Sequence, residues 1–133
     1  MTLSVELVQP EGELWAGNAE MVIARTLDGE IGVLTNHAPL IGILYEGSMV
    51  QIRPDDTAHP DVFAAISGGF LSVANNRVSI LAREAVLGRH VDTAQTQAAL
   101  NDALAGLPQP VGPEEPANVR YYRALLDAAE QTR

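Results

Sequence analysis

The sequence predicts an α+β chain, an N-terminal antiparallel β-sandwich followed by a C-terminal two-helix hairpin. Three observations carry that expectation. Apolar residues alternate with period two from Thr2 to Arg83, in short runs broken by turn residues. No helix-period segment interrupts those runs, which argues against an α/β fold. After Ala85 the period changes to three-to-four, as on the apolar face of a helix.

Taken in order, Leu3, Val5 and Leu7 point one way from the first strand, with Ser4 and Glu6 on the other side. Val22, Ala24 and Thr26 oppose Met21, Ile23, Arg25 and Leu27 in the second. Asp28-Gly29 reads as a turn, Ile31 to Leu34 as a short buried strand, and Asn36-His37-Ala38-Pro39 as a polar elbow. Further ladders run through Met49–Arg53, Val62–Ser67, Phe70–Ala74 and Val78–Arg83. Asn75-Asn76 suits a tight hairpin turn because Asn tolerates positive φ. Gly68-Gly69 reads as a bulge or a close strand approach.

Asp92, with Gln95 three positions later, marks a helix start, and Leu100, Ala103, Leu104 and Leu107 follow at helical spacing until Gly106 and Pro108 end it. Pro108–Pro116 holds four prolines and reads as a stiff connector. A second helix begins near Pro116 and carries Val119, Tyr122, Leu125, Leu126 and Ala129 on one face. Neither helix is long enough to be stable alone in water, so each must pack on something. The resulting division is a β-sandwich domain over 1–86 and a helical hairpin over 87–133.

The chain has 133 residues, enough for a core without staples, and its 47% apolar and 19% charged residues are a folding composition. No apolar run approaches the length of a membrane span, and no signal sequence opens the chain, so a soluble cytosolic chain without membrane insertion is expected. There is no cysteine, and all eight basic residues are arginine. Thiolate chemistry, sulfur-bound metals, a Walker A lysine and Schiff-base chemistry are thereby excluded. The net charge of −9 disfavours nucleic acid and anionic lipid, and leaves proteins as the expected partners.

No catalytic constellation is legible. His37, His59 and His90 are dispersed, and no metal-ligand spacing links them to carboxylates. Asp55, Asp56 and Asp61 read as solvated loop charges, and Ser67-Gly68-Gly69 lacks the setting of a nucleophile elbow.

The segment Asp28-Gly29-Glu30-Ile31-Gly32-Val33-Leu34-Thr35-Asn36-His37-Ala38-Pro39-Leu40 is the most distinctive stretch. A second comprises Ser67-Gly68-Gly69-Phe70-Leu71-Ser72-Val73 and Asn76-Arg77-Val78-Ser79-Ile80-Leu81-Ala82, ending at Ala85. Together they closely resemble the epsilon-subunit family of the F-type rotary ATP synthase, across Thr2 to Ala85. The order of sandwich and hairpin fits that family over the whole chain.

The resemblance implies a non-catalytic rotor piece of the central stalk, seated on the gamma subunit and against the c-subunit ring. It would lie peripherally on the cytoplasmic face of the energy-transducing membrane. It implies a c-ring contact at Asp28, Gly29, Glu30 and Ile31, with Glu30 as the leading charge. It also implies a gamma contact at His37, Ala38, Pro39 and Leu40. In the family, the hairpin either folds on the sandwich or extends toward the catalytic alpha and beta subunits and blocks hydrolysis. Some members bind regulatory ATP through Ile/Leu-Asp-x-x-Arg-Ala. Here the matching positions read Val91-Asp92-Thr93-Ala94-Gln95-Thr96, so Asp92 is the remnant of that motif and the phosphate-pairing arginine is missing. No cofactor is therefore expected, and Asp92 reads as a helix cap. Arg120 and Arg123 of the arm, with Arg133, are the only arginines from the second helix onward, diluted by Asp127 and Glu130; Arg123 and Asp127 are spaced to pair. Weak inhibition is the expectation. The alternatives are a stand-alone β-sandwich binding module and a small acidic hydrolase or isomerase using His37.

Overall fold

A computed structural model describes residues 2–107 and 115–132. Most of the connector Pro108–Pro116, including the helix-ending Pro108, lies outside the described residues, as does Arg133. The strands are β1 (Leu3–Gln9), β2 (Gly12–Thr26), β3 (Gly29–Val33), β4 (Leu40–Leu44), β5 (Ser48–Pro54), β6 (Val62–Ala74) and β7 (Arg77–Leu87). A 3-10 turn, Gly88–His90, leads to helices α1 (Thr93–Ala105) and α2 (Ala117–Thr132).

The alternation places its residues as expected. Leu3, Val5 and Leu7 of β1 and Val22 and Ala24 of β2 are buried, with Leu44, Ile52, Ile66, Leu71 and Ile80 completing the centre of the core. Burying each large side chain contributes roughly 1.5–3 kcal/mol. Glu6, on the outer side of β1, accepts a 2.8 Å hydrogen bond from the Ser79 hydroxyl.

Three features go beyond the local pattern. The runs Val62–Ser67 and Phe70–Ala74 are one strand, β6, whose register against β7 breaks at Gly68 and Gly69. The bulge lets β6 change neighbours, pairing Val62–Ile66 with β5 and Gly69–Val73 with β4. β4 and β5 thus run end to end against β6, separated by a kink at Tyr45–Gly47. The sheet is also not wholly antiparallel, because β1 pairs β7 in parallel, Ser4 with Arg77 through Val8 with Leu81. That pairing joins the first and last strands, and no turn between them announces its direction. It completes the circuit β1–β7–β6–β5–β2–β1, which leaves those five strands no free edge.

The helices form an arm on the outside of this sandwich. Ala124 and Leu125 of α2 pack on Ala65 of β6, flanked by Val86, Val91, Tyr121 and Tyr122. Val119, Leu125 and Ala129 are buried as the spacing predicts, while Tyr122 and Leu126 are only half-buried. Ala124 and Ala128 are buried too, because two glycines bring the helix backbone close to the sandwich. A Cβ on Gly47, in the β4–β5 kink, would stand 2.6 Å from the Arg120 Cβ. One on Gly88 would collide with the Ala128 carbonyl oxygen. α2 is therefore seated at both ends, whereas α1 packs mainly on α2 and buries only Leu100 among its described side chains.

Candidate interaction site

The tip of the β2–β3 hairpin carries Asp28, Gly29 and Glu30, all exposed. Thr26, buried at its base, accepts from the Asp28 N–H at 3.1 Å and donates to the Gly29 carbonyl at 2.9 Å, so its hydroxyl fixes the turn. Ile31 is half-buried and leans on the core, which leaves Asp28 and Glu30 as the presented side chains. Neither carboxylate has an ion pair among the described residues. The tip is a small, rigid, acidic projection.

The elbow at His37, Ala38, Pro39 and Leu40 lies at the opposite end of β4. Asn36 turns it with φ of 65°, and its N–H donates to the Asn76 side-chain oxygen at 2.6 Å. The His37 Nδ1 donates to the Ala38 carbonyl at 2.7 Å, and Asn75 and Asn76 form the other wall of a shallow hollow there. A ring held by its neighbour's backbone is a structural histidine. Among the described residues it has no carboxylate or hydroxyl partner with which to act as a base.

Between tip and elbow runs the outer face of β4, a strand the sequence reading missed. Ile41 is 77% and Ile43 60% exposed, and across the pairing from Ile43 stands Phe70, 45% exposed. Leu27, 62% exposed, adjoins them, its N–H donating to the Ile43 carbonyl at 3.0 Å. The signal was present in Leu40-Ile41-Gly42-Ile43-Leu44. An apolar residue at both parities means a strand that expects cover on both faces. Leu40 and Leu44 face the core, and Ile41 and Ile43 face outward uncovered. A contiguous exposed apolar patch of this kind marks a protein interface. Five residues of strand separate the two ends by about 17 Å.

On the arm, Arg120 donates from Nε to the Glu46 carbonyl at 3.0 Å and from Nη1 to the Glu115 carbonyl. Its guanidinium lies 4.8 Å from the centre of the Tyr45 ring. Arg123 does not pair with Asp127 as its spacing suggested. It grips Glu115 through Nε and Nη2, both at 2.7 Å, because a carboxylate just ahead of α2 meets the guanidinium fork with both oxygens. That hydrogen bonding holds the Glu115 carboxyl below its ordinary range and raises Arg123. Among the described residues the Tyr121 hydroxyl is buried with no hydrogen bond of good geometry, and burial, reinforced by the nearby Glu84 carboxylate, pushes it up to about 12.

Asp92 caps α1, its Oδ1 accepting from the Gln95 N–H at 3.0 Å. The cap occupies the carboxylate, Gln95 carries no charge, and both described arginines of α2 are engaged elsewhere, so the nucleotide-motif positions themselves offer no cation to a phosphate. In the Arg53–Asp61 loop, Asp61 is less free than a solvated charge, accepting from Gln51 at 2.8 Å and Arg53 at 3.3 Å. Asp56 pairs with His59 at 3.0 Å, and its carboxyl is lowered first by the Ala58 N–H and then by His59.

Residues 2–88 match the family model described as ATP synthase, Delta/Epsilon chain, beta-sandwich domain. The chain is 50% identical over 99 residues to the ATP synthase epsilon chain of Corynebacterium glutamicum, covering 74% of this chain and 78% of that one. It is 47% identical over 102 residues to the ATP synthase epsilon chain of Thermobifida fusca, covering 76% and 74% respectively. Among solved structures, a chain of the Euglena gracilis mitochondrial ATP synthase (OSCP/F1/c-ring) superposes with a TM-score of 0.70 at 22% identity, over 98% of this chain and 79% of that chain. At these identities the structural likeness concerns the fold alone.

Proposed function

The chain belongs to the ATP synthase epsilon-chain family, and from that premise we propose that it is the non-catalytic central-stalk subunit linking the c ring to the catalytic head through gamma. The observation that best supports this role is the uncovered apolar face of β4, with Ile41, Ile43, Phe70 and Leu27. A closed sandwich has no structural need to leave that face bare. Gamma covers it, together with the elbow His37–Leu40. The acidic tip, led by Glu30, meets the polar loops of the c ring. The elbow and the acidic tip sit at opposite ends of one short strand whose outer face gamma also covers, so torque passes through a rigid element rather than a loop.

No helix among the described residues is long and apolar enough to cross a membrane. The chain works at the cytoplasmic face of the membrane through its partners. The arm's contact with the alpha and beta subunits requires Arg120 to leave Tyr45 and Glu46, and α2 to lift off Gly47 and Gly88. Inhibition of hydrolysis is accordingly weak, and ATP takes no part in it.

The test is reconstitution of an epsilon-depleted parent enzyme. Ile43→Asp places a charge on the buried face and is expected to weaken attachment at least about tenfold, or 1.4 kcal/mol. Glu30→Lys is expected to leave gamma binding intact and to lower proton-driven ATP synthesis. Full attachment and coupling by both variants would refute the assignment.

A further inference from the structure

In a chain of net charge −9 with eight arginines and no lysine, three arginines converge beside one end of the apolar face of β4. Arg25 and Arg120 lie over the same Tyr45 ring, 4.7 Å and 4.8 Å from its centre. Arg83, Arg120 and Glu46 border a hollow of about 290 Å³ together with Leu27, Ile43 and Tyr45, and Arg25 stands at its edge on the Tyr45 ring. The charges of Arg25 and Arg120 are not neutralised by any ion pair among the described residues. Arg120 spends its donors on two backbone carbonyls, and among the described residues Arg83 pairs with Glu46 in a well-exposed 3.2 Å contact. Exposed pairs of that kind contribute little. Two guanidiniums on one ring repel each other, and the Tyr45 face compensates only in part. An anion arriving beside either guanidinium would offset that repulsion.

We infer that this cleft receives an acidic, amphipathic segment of the stalk partner, its carboxylates on Arg25 and Arg120 and its apolar side chains on Leu27, Ile43 and Phe70. The inference rests on the reading of the β4 face as the gamma-facing surface and adds the chemistry of what binds there. Charge complementarity selects the occupant, because a surface that is acidic elsewhere repels an acidic segment from every other position. It also sets orientation. Glu30 pairs in register with Arg25 across the β2–β3 ladder. The acidic tip and the basic cleft are thus adjacent and of opposite sign, so an acidic stalk segment is steered to the cleft and away from the tip.

The experiment measures binding of the full chain to the epsilon-depleted parent enzyme as a function of salt. Arg25→Gln is expected to weaken binding by roughly tenfold and to flatten the salt dependence, with Arg25→Lys recovering part of the loss. Arg120→Gln acts in the same direction, and amide exchange in α2 separates a lost contact from an undocked arm. Arg53→Gln, on an arginine at the far end of β5 that pairs with Asp61, changes neither quantity. If Arg25→Gln binds normally with an unchanged salt slope while Ile43→Asp fails, the face docks gamma and the acidic-segment inference falls. If Ile43→Asp also binds normally, the reading of the face itself falls. Arginine-dependent binding of inorganic phosphate with normal enzyme binding would make the cleft a free-anion site and overturn the inference. So would a concentration-dependent dimer of the chain alone that Ile43→Asp abolishes.

Discussion

The sandwich and the arm are held together by different means, and the contrast shows which part of the chain should yield first. In the sandwich, five strands close a hydrogen-bonded circuit around side chains with almost no solvent access, Leu3, Leu7, Ile66, Leu71 and Ile80 among them. On the arm, α1 buries Leu100 alone, and α2 rests on alanines, two glycine seats and a few arginine contacts. Closure without edges gives cooperativity, whereas small residues at a close backbone approach give a snug but shallow contact. The sandwich is therefore expected to unfold as a unit, and the arm to leave it at lower cost.

The largest effect expected is in the sandwich. Ile66→Ala should cost about 2–5 kcal/mol in denaturant unfolding, since it opens a cavity in a core that cannot collapse. A loss confined to the arm would break the distinction. Gly88→Ala comes next, because its Cβ meets the Ala128 carbonyl and the Thr132 hydroxyl. It should cost about 1–3 kcal/mol, read as lost amide protection in α2 with β6 and β7 still protected. Asp92→Ala should fray α1 by about 1 kcal/mol and leave the sandwich melt unchanged.

Tyr121→Phe sharpens the comparison in the opposite direction. Among the described residues its hydroxyl is buried without a well-formed hydrogen bond, beside the Glu84 carboxylate, so removing it should tighten the docked arm by up to about 1 kcal/mol. The same group gives the arm an alkaline limit. With its folded value raised to about 12, neutral Tyr121 contributes stability in full below its ordinary pKa near 10, and that contribution is lost as pH rises toward 12. The smallest effect is at acid pH. Glu115 is lowered by Arg123, so the pair contributes above the ordinary carboxylate range and is lost as pH falls through the lowered value. Loosening of the start of α2, with the sandwich intact, is the expected readout by amide exchange.

Local rules made much of this legible. Period-two alternation placed the buried faces of β1, β2 and β7, and the spacing of Asp92 and Gln95 located the α1 cap. What escaped were consequences of tertiary arrangement. β4 was missed because its two apolar parities look like a loop edge unless an external partner is supposed. The parallel β1–β7 pairing joins strands some seventy residues apart, and no hairpin announces it. Ala124 and Ala128 looked neutral because the glycines that draw them to the sheet, Gly47 and Gly88, lie on other elements. Arg123 was paired with Asp127 by spacing alone, and Glu115 won because it offers both oxygens to the guanidinium fork.

The central claim is that coupling resides in the sandwich and its β4 face, with the arm a weakly held accessory. The most direct measurement is proton-driven ATP synthesis and ATP hydrolysis by an epsilon-depleted parent enzyme reconstituted with the full chain or with one ending at Gly88. The account predicts that both chains restore synthesis, and that hydrolysis rises by no more than about threefold without the arm, a change worth under 1 kcal/mol. Failure of the shortened chain to restore synthesis, with normal folding, would contradict it.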